Sequence, residues 1–291
     1  MAYLATHLLA SLFLVPTGLT RLLRSTSLFL KNPSLFKSKP WFTLSRPQWK
    51  NLDLFALAVA LPIAALSEAF LASTLPAHPA RRFAMAHHSV VLVLFWALVL
   101  SVALPHTVDF FRSAISDGLV FVLAGVSFLS EYWVAENGTE GLSKDVYGLL
   151  GLLSLLCGVC SLYLAINPAS FWAEFLLSSG LVFKGTWVLQ IGVSLYTDTF
   201  GFEGCGLRAE NLSLVVCELK EDELRAVALA RLMFVWHSGL VLGLGLVSFG
   251  LLSLCQRRRS RLGGDQDGSL LSQLEAETAV TRNGTAELEM E

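Results

Sequence analysis

Glu68, His88, Glu131, Lys184, Gln190, Arg231 and His237 stand within long apolar stretches, where an ionisable or amide side chain has to find a partner or a task. A charge costs about 2.5–3.5 kcal/mol at the centre of a membrane helix, so such groups turn to a bundle interior or to water. Side chains of these types relay protons, pair as ions, or hold a small polar ligand. Zinc also accepts imidazole nitrogen and carboxylate oxygen and can activate water against a lipid ester. The spacing gives that chemistry little support. His87 and His88 are adjacent and point about 100° apart on a helix. Neither H-x-x-x-H nor H-E-x-x-H occurs, and the phosphate-cradling G-x-x-x-x-G-K and the nucleophile elbow G-x-S-x-G are absent too. The motifs name no catalytic residue, no metal ligand set and no cofactor, and they point away from an enzyme.

The elements that position these groups are seven apolar stretches, at residues 5–23, 52–74, 83–105, 113–135, 145–166, 171–196 and 226–255. Each supplies the roughly 20 residues that a helix rising ~1.5 Å per residue needs to cross ~30 Å of hydrocarbon. Only a helix satisfies its own backbone within one segment. The expected fold is therefore all-α, a seven-transmembrane-helix bundle over residues 1–255 with a tail at 256–291. Composition agrees. Hydrophobic residues make up 54% of the chain and charged ones 15%, against about 25% charged in a soluble domain. The bilayer is the first expected partner, and nucleic acid is not expected.

Charge placement predicts the orientation. Arg24, Lys31, Lys37, Lys39, Arg46 and Lys50 precede Asp53 with no acid among them, and Arg257, Arg258, Arg259 and Arg261 follow the last stretch. An odd number of crossings puts both basic segments on one side, and the positive-inside rule makes that side cytosolic, with the N-terminus outside or lumenal. The first stretch reads as a permanent helix and not a cleaved leader. No basic residue precedes it, no small-x-small site follows it, and Arg21 and Arg24 close its far end. Acceptor tripeptides at Asn137 and Asn211 fall on the outer side, which predicts a glycoprotein; a third, at Asn283, falls on the cytosolic side.

Between the stretches the chain changes character. The 24–51 loop mixes basic residues with Trp41, Phe42 and Trp49, so it can lie against anionic lipid headgroups, each basic group contributing about 1 kcal/mol. Its alternative role is as a topology determinant only. The loop before the seventh stretch is acidic, and its Cys205 and Cys217 are candidates for a disulfide in an oxidising lumen. Cys157 and Cys160 read as small packing residues, because thioredoxin-like chemistry needs a βαβ setting. Cys255, beside the arginine cluster, is a palmitoylation candidate. Beyond Leu262 the tail is polar and poor in aromatics, which predicts disorder.

Counting from the span ends, Glu68, His88, Glu131, Gln190 and Arg231 fall on one level in the outer half, from five helices, with His237 deeper and Lys184 near mid-span. One shared polar layer follows, with Arg231 expected to pair with Glu68 or Glu131. Gly239 and Gly243, like Ser154 and Gly158, form small-x-x-x-small pairs that allow close helix approach. That at Gly239 is expected to bring Gln190 to His237. A receptor reading fails, since the third stretch ends in Leu104-Pro105-His106 and lacks an outer cysteine, and the seventh has no proline.

The run Phe183-Lys184-Gly185-Thr186-Trp187-Val188-Leu189-Gln190-Ile191-Gly192, followed by Phe234-Val235-Trp236-His237, resembles the paired signatures of the transmembrane protein 45 family, which includes transmembrane epididymal proteins. His7 with Gly18, Glu68, and His88 with Ser89 fall where that family has similar residues. The resemblance implies a seven-helix integral membrane protein of endomembranes or plasma membrane, and it implies no particular activity. The chain departs from the family at Lys184, where members often have Gln, and at 130–137, where members carry a His-rich stretch. The loss of those histidines weakens the case for an inherited metal or haem.

The sequence thus predicts a multi-pass membrane protein whose polar layer serves packing or a small-ligand, lipid or proton route. A membrane-embedded metal-dependent lipid hydrolase is one alternative. A structural or adaptor protein that binds membrane partners or its own copies is the other.

Overall fold

The computed structural model describes residues 2–42, 52–74, 79–107, 109–135, 141–197, 203–208 and 214–288. Its helices are α1 (Ala2–Lys31), α2 (Leu52–Thr74), α3 (Pro79–Thr107), α4 (Asp109–Ala114), α5 (Asp117–Ala135), α6 (Leu142–Ile166), α7 (Phe171–Tyr196) and α8 (Lys220–Leu288). A hairpin of β1 (Cys205–Arg208) and β2 (Leu214–Cys217) precedes α8. All the helices except the short α4 contain a stretch long and apolar enough to cross a bilayer, so among the described residues there are seven. The acceptor residues Asn137 and Asn211 lie outside the described residues.

Element ends depart from the apolar stretches for local reasons. Helix α1 runs through Pro16 and on to Lys31, since no further proline comes before Pro33. Helix α8 begins at Lys220 with Glu221, Asp222 and Glu223 in its first turn, where acidic groups favour the positive end of the helix dipole. The fourth crossing starts at Asp117, after α4. The backbone of α8 is helical to Leu288. No proline interrupts the tail, and Leu270, Leu271 and Leu274 recur at helical spacing.

The chain forms two compact units, Met1–Gly245 and Leu246–Glu291. In the first, α7 is the central element. It packs on α1 and α6, α6 packs on α5, α5 on α3, and α3 on α2. The spanning part of α7 is the most buried of the seven, and that of α8 the least. Lipid gives helices no hydrophobic reason to associate, so close backbone approach and polar contacts have to hold them. The α1–α7 seam shows the first device. A Cβ added at Gly18 would come within 2.7 Å of the Val182 backbone nitrogen, and one at Gly185 within 2.9 Å of the Val15 nitrogen. Gly158 serves the α5–α6 seam in the same way, 3.3 Å from the Gly125 carbonyl. Gly239 and Gly243 do not: among the described residues nothing lies within 4 Å of a Cβ at either.

Candidate functional site

Lys184 is carried at mid-length on α7, the helix with neighbours on every side, and its side chain is only 3% exposed. A buried ammonium requires both a counter-charge and hydrogen-bond acceptors. The Nζ atom lies 2.6 Å from Glu131 Oε2 on α5 and donates to Ser154 Oγ on α6 at 2.5 Å. The Phe128 ring, one turn before Glu131, sits 5.6 Å from Nζ and adds a cation–π contact. One cation thus ties three helices together. The partners are unequal, because Glu131, near the end of α5, keeps 21% of its side chain exposed.

A second buried pair lies toward the other end of α7. Glu174, fully buried in the first turn, meets Arg21 of α1: Nε is 2.6 Å from Oε1, and Nη2 donates to Oε2 at 2.7 Å. Ser38 donates its hydroxyl to the same Oε2, and Ser178 donates to Oε1 at 3.2 Å. Arg21 also donates to the Pro40 carbonyl at 2.9 Å and lies over the Phe42 and Phe121 rings. The carboxylate is therefore paired, and most of its acceptor positions are filled. Ten residues separate Glu174 from Lys184, about 15 Å along the helix axis at ~1.5 Å per residue.

The other sequence candidates fall into separate contacts, and the single shared layer divides. Glu68 on α2 lies 3.8 Å from His88 on α3. Arg231 meets neither Glu68 nor Glu131; its Nη2 is 2.5 Å from Asp145 Oδ1, and the Arg231 side chain is 64% exposed. The reason lies in its partner: Asp145 stands in the first turn of α6, and the exposed Arg231 side chain turns to it at the rim and not to the interior. Gln190 does not reach His237, and donates within its own helix to Ser194 at 3.1 Å. His237 lies among rings, 5.0 Å from Phe183 and 6.1 Å from Trp187 by centroids. A cavity of about 20 Å³ lies beside Trp187, Gln190, Ser194 and Met233, room for about one water.

Three features went unread in the sequence. Arg21 reads only as closing the first stretch, and Glu174 is not singled out. The signal was a lone acid within the apolar 171–196 stretch, four positions after Ser170, which caps α7 by accepting from the Ala173 N–H. The third feature joins α1, α6 and α7: Tyr147 Oη lies 3.0 Å from His7 Nε2 and 2.8 Å from Tyr196 Oη. Cys205 and Cys217 are cross-strand partners in the hairpin and are joined by a disulfide. Cys157 and Cys160 are free and buried, and Cys255 is free and exposed. Among the described residues, no three His, Cys, Asp or Glu side chains converge as metal ligands would.

The profile of a family of unknown function, DUF716, matches residues 117–250. The matched part runs from the start of α5 into α8, less than half of the chain. It contains the whole Lys184–Glu131–Ser154 contact and Glu174, and leaves out Arg21, Glu68 and His88. No curated protein matches.

Proposed function

We propose that this multi-pass membrane protein is proton-linked, with Lys184 and Glu131 as the site of proton exchange. The observation that carries the reading is the inequality of the pair, an ammonium 3% exposed against a carboxylate 21% exposed. On this reading a proton enters at the exposed part of the Glu131 side chain, since its Oε2, against Lys184, is buried as the ammonium is. Once Glu131 is neutral, the buried ammonium has lost its counter-charge and must move or give up its proton. A single protonation at the rim is thereby coupled to the helix on which the bundle is built.

Full-length protein in proteoliposomes under an imposed pH gradient tests this, with an entrapped pH-sensitive dye as readout. Wild type is expected to pass protons, and Glu131→Gln and Lys184→Met to do so at least tenfold more slowly while still folded. Wild-type vesicles no leakier than empty ones would overturn the proposal.

The orientation proposed with it places the basic segments in the cytosol and the Glu131 end outside, in the plasma membrane or an endomembrane. Asn137 and Asn211 are then glycosylated and Asn283 is not. Glycosidase-sensitive gel shifts on single Asn→Gln variants check this, and a shift lost only in Asn283→Gln would reverse the orientation. Kinship with the transmembrane protein 45 family, on the Gly185–Gly192 and Trp236-His237 residues, belongs to the same proposal. An adaptor role is the second reading. It is favoured by Gly239 and Gly243, which, among the described residues, nothing approaches within 4 Å of a Cβ, a helix face open to a membrane partner or a second copy.

A further inference from the structure

We infer that the end of the bundle carrying the segment after α1 binds the headgroup of an anionic glycerophospholipid, through Lys31, Lys37 and Lys39. A run of lysines is by itself only a charged loop. What makes this one a site is that its backbone is fixed. The Ser38 N–H donates to the Pro168 carbonyl at 2.7 Å, the Ser38 hydroxyl donates to Glu174, and Arg21 holds the Pro40 carbonyl at 2.9 Å. Phe36 and Ser38 are buried by these contacts, and the residues between and after them, Lys37 and Lys39, are exposed. Alternation of this kind is what an extended segment produces, and it sets the two lysines on one side about 7 Å apart. Lys31, exposed in the last turn of α1, adds a third charge. Among the described residues no carboxylate pairs with any of the three.

A second, independent observation places this end at the level of lipid headgroups. Phe36 packs edge-on against Phe171 at 5.6 Å, and Phe171 adjoins Trp172 at 5.4 Å. Trp172, Leu35 and Ile166 are exposed there, and an exposed tryptophan at the end of a spanning helix marks the membrane–water interface. Exposed apolar groups thus border three uncompensated ammonium groups. A lipid satisfies both, with its phosphate among the lysines and its chains along Leu35 and Trp172. The inference does not depend on the proton reading or on the orientation.

Native mass spectrometry of the full chain in detergent, offered equal amounts of phosphatidylglycerol and phosphatidylcholine with identical acyl chains, tests it. Wild type is expected to retain phosphatidylglycerol preferentially and to shed it as ionic strength rises. The double variant Lys37→Gln/Lys39→Gln is expected to lose about 30-fold of that preference, from about 1 kcal/mol per lysine at 1.4 kcal/mol per tenfold. Its melting temperature is expected to match wild type, since neither side chain is packed. Lys144→Gln, at the opposite end of α6, is expected to change nothing. Equal retention of the two lipids by wild type, retention insensitive to salt, an unchanged preference in the double variant, or an equal loss in Lys144→Gln would each overturn the site.

Discussion

Arg21→Leu is expected to destabilise the bundle by about 3–5 kcal/mol, the usual result of removing one member of a buried ion pair. Glu174 is fully buried, so its carboxylate has no water to turn to once the guanidinium is gone. Ser38 and Ser178 would still donate to it, which softens the loss without replacing the charge. Arg21→Lys should recover only part, because an ammonium cannot reach both carboxylate oxygens and the Pro40 carbonyl as the planar fork does. The double variant Arg21→Met/Glu174→Leu should be more stable than Arg21→Leu, since it leaves no unpaired charge; Ser38 then loses its acceptor while Ser178 keeps the residue 174 backbone carbonyl, and recovery stays incomplete. Denaturant unfolding of the four proteins in one detergent measures the series. Arg21→Leu unfolding at the wild-type midpoint would sink the assignment.

That contact also shows where sequence reading stops. Seven spans were legible because hydrophobic length is a local property, summed along one stretch at a time. Lys184 was legible for the same reason, as a charge with apolar sequence on both sides. Arg21 was not. It sits near the end of the first apolar stretch, where a basic residue ordinarily faces water and marks topology. It is buried because the chain folds back at 36–42 and covers it, and no local pattern records that return. Arg231 erred in the opposite direction: read as an interior charge, it is largely exposed and turns to Asp145 at the start of α6, a partner that its own stretch of sequence does not record. The glycine pairs carried one signal and two outcomes. Gly158 meets the Gly125 backbone while Gly239 meets nothing within 4 Å, and small-residue spacing cannot tell a helix which side its neighbour is on.

Removing Glu131 is expected to cost more than removing Lys184, although both break the same contact. After Glu131→Leu the ammonium stays in the interior, 3% exposed, with the Ser154 hydroxyl and the Phe128 ring as its remaining partners. Neither carries a full negative charge, so the loss should approach the roughly 3–5 kcal/mol of a stranded buried ion. After Lys184→Leu the survivor is a carboxylate 21% exposed, which can turn to water or accept a proton; the loss should then be nearer the ~1–3 kcal/mol of one unsatisfied polar group. Two equal losses would show that Glu131 has no usable route to water, and with that the proton-exchange reading would fall. The double variant Lys184→Leu/Glu131→Leu strands no charge and should be more stable than Glu131→Leu alone, folding well enough for the proteoliposome assay. That variant separates the two roles of the pair. If it folds and no longer passes protons, the pair does the exchanging; if it folds and passes them at the wild-type rate, Lys184 and Glu131 only hold α5, α6 and α7 together.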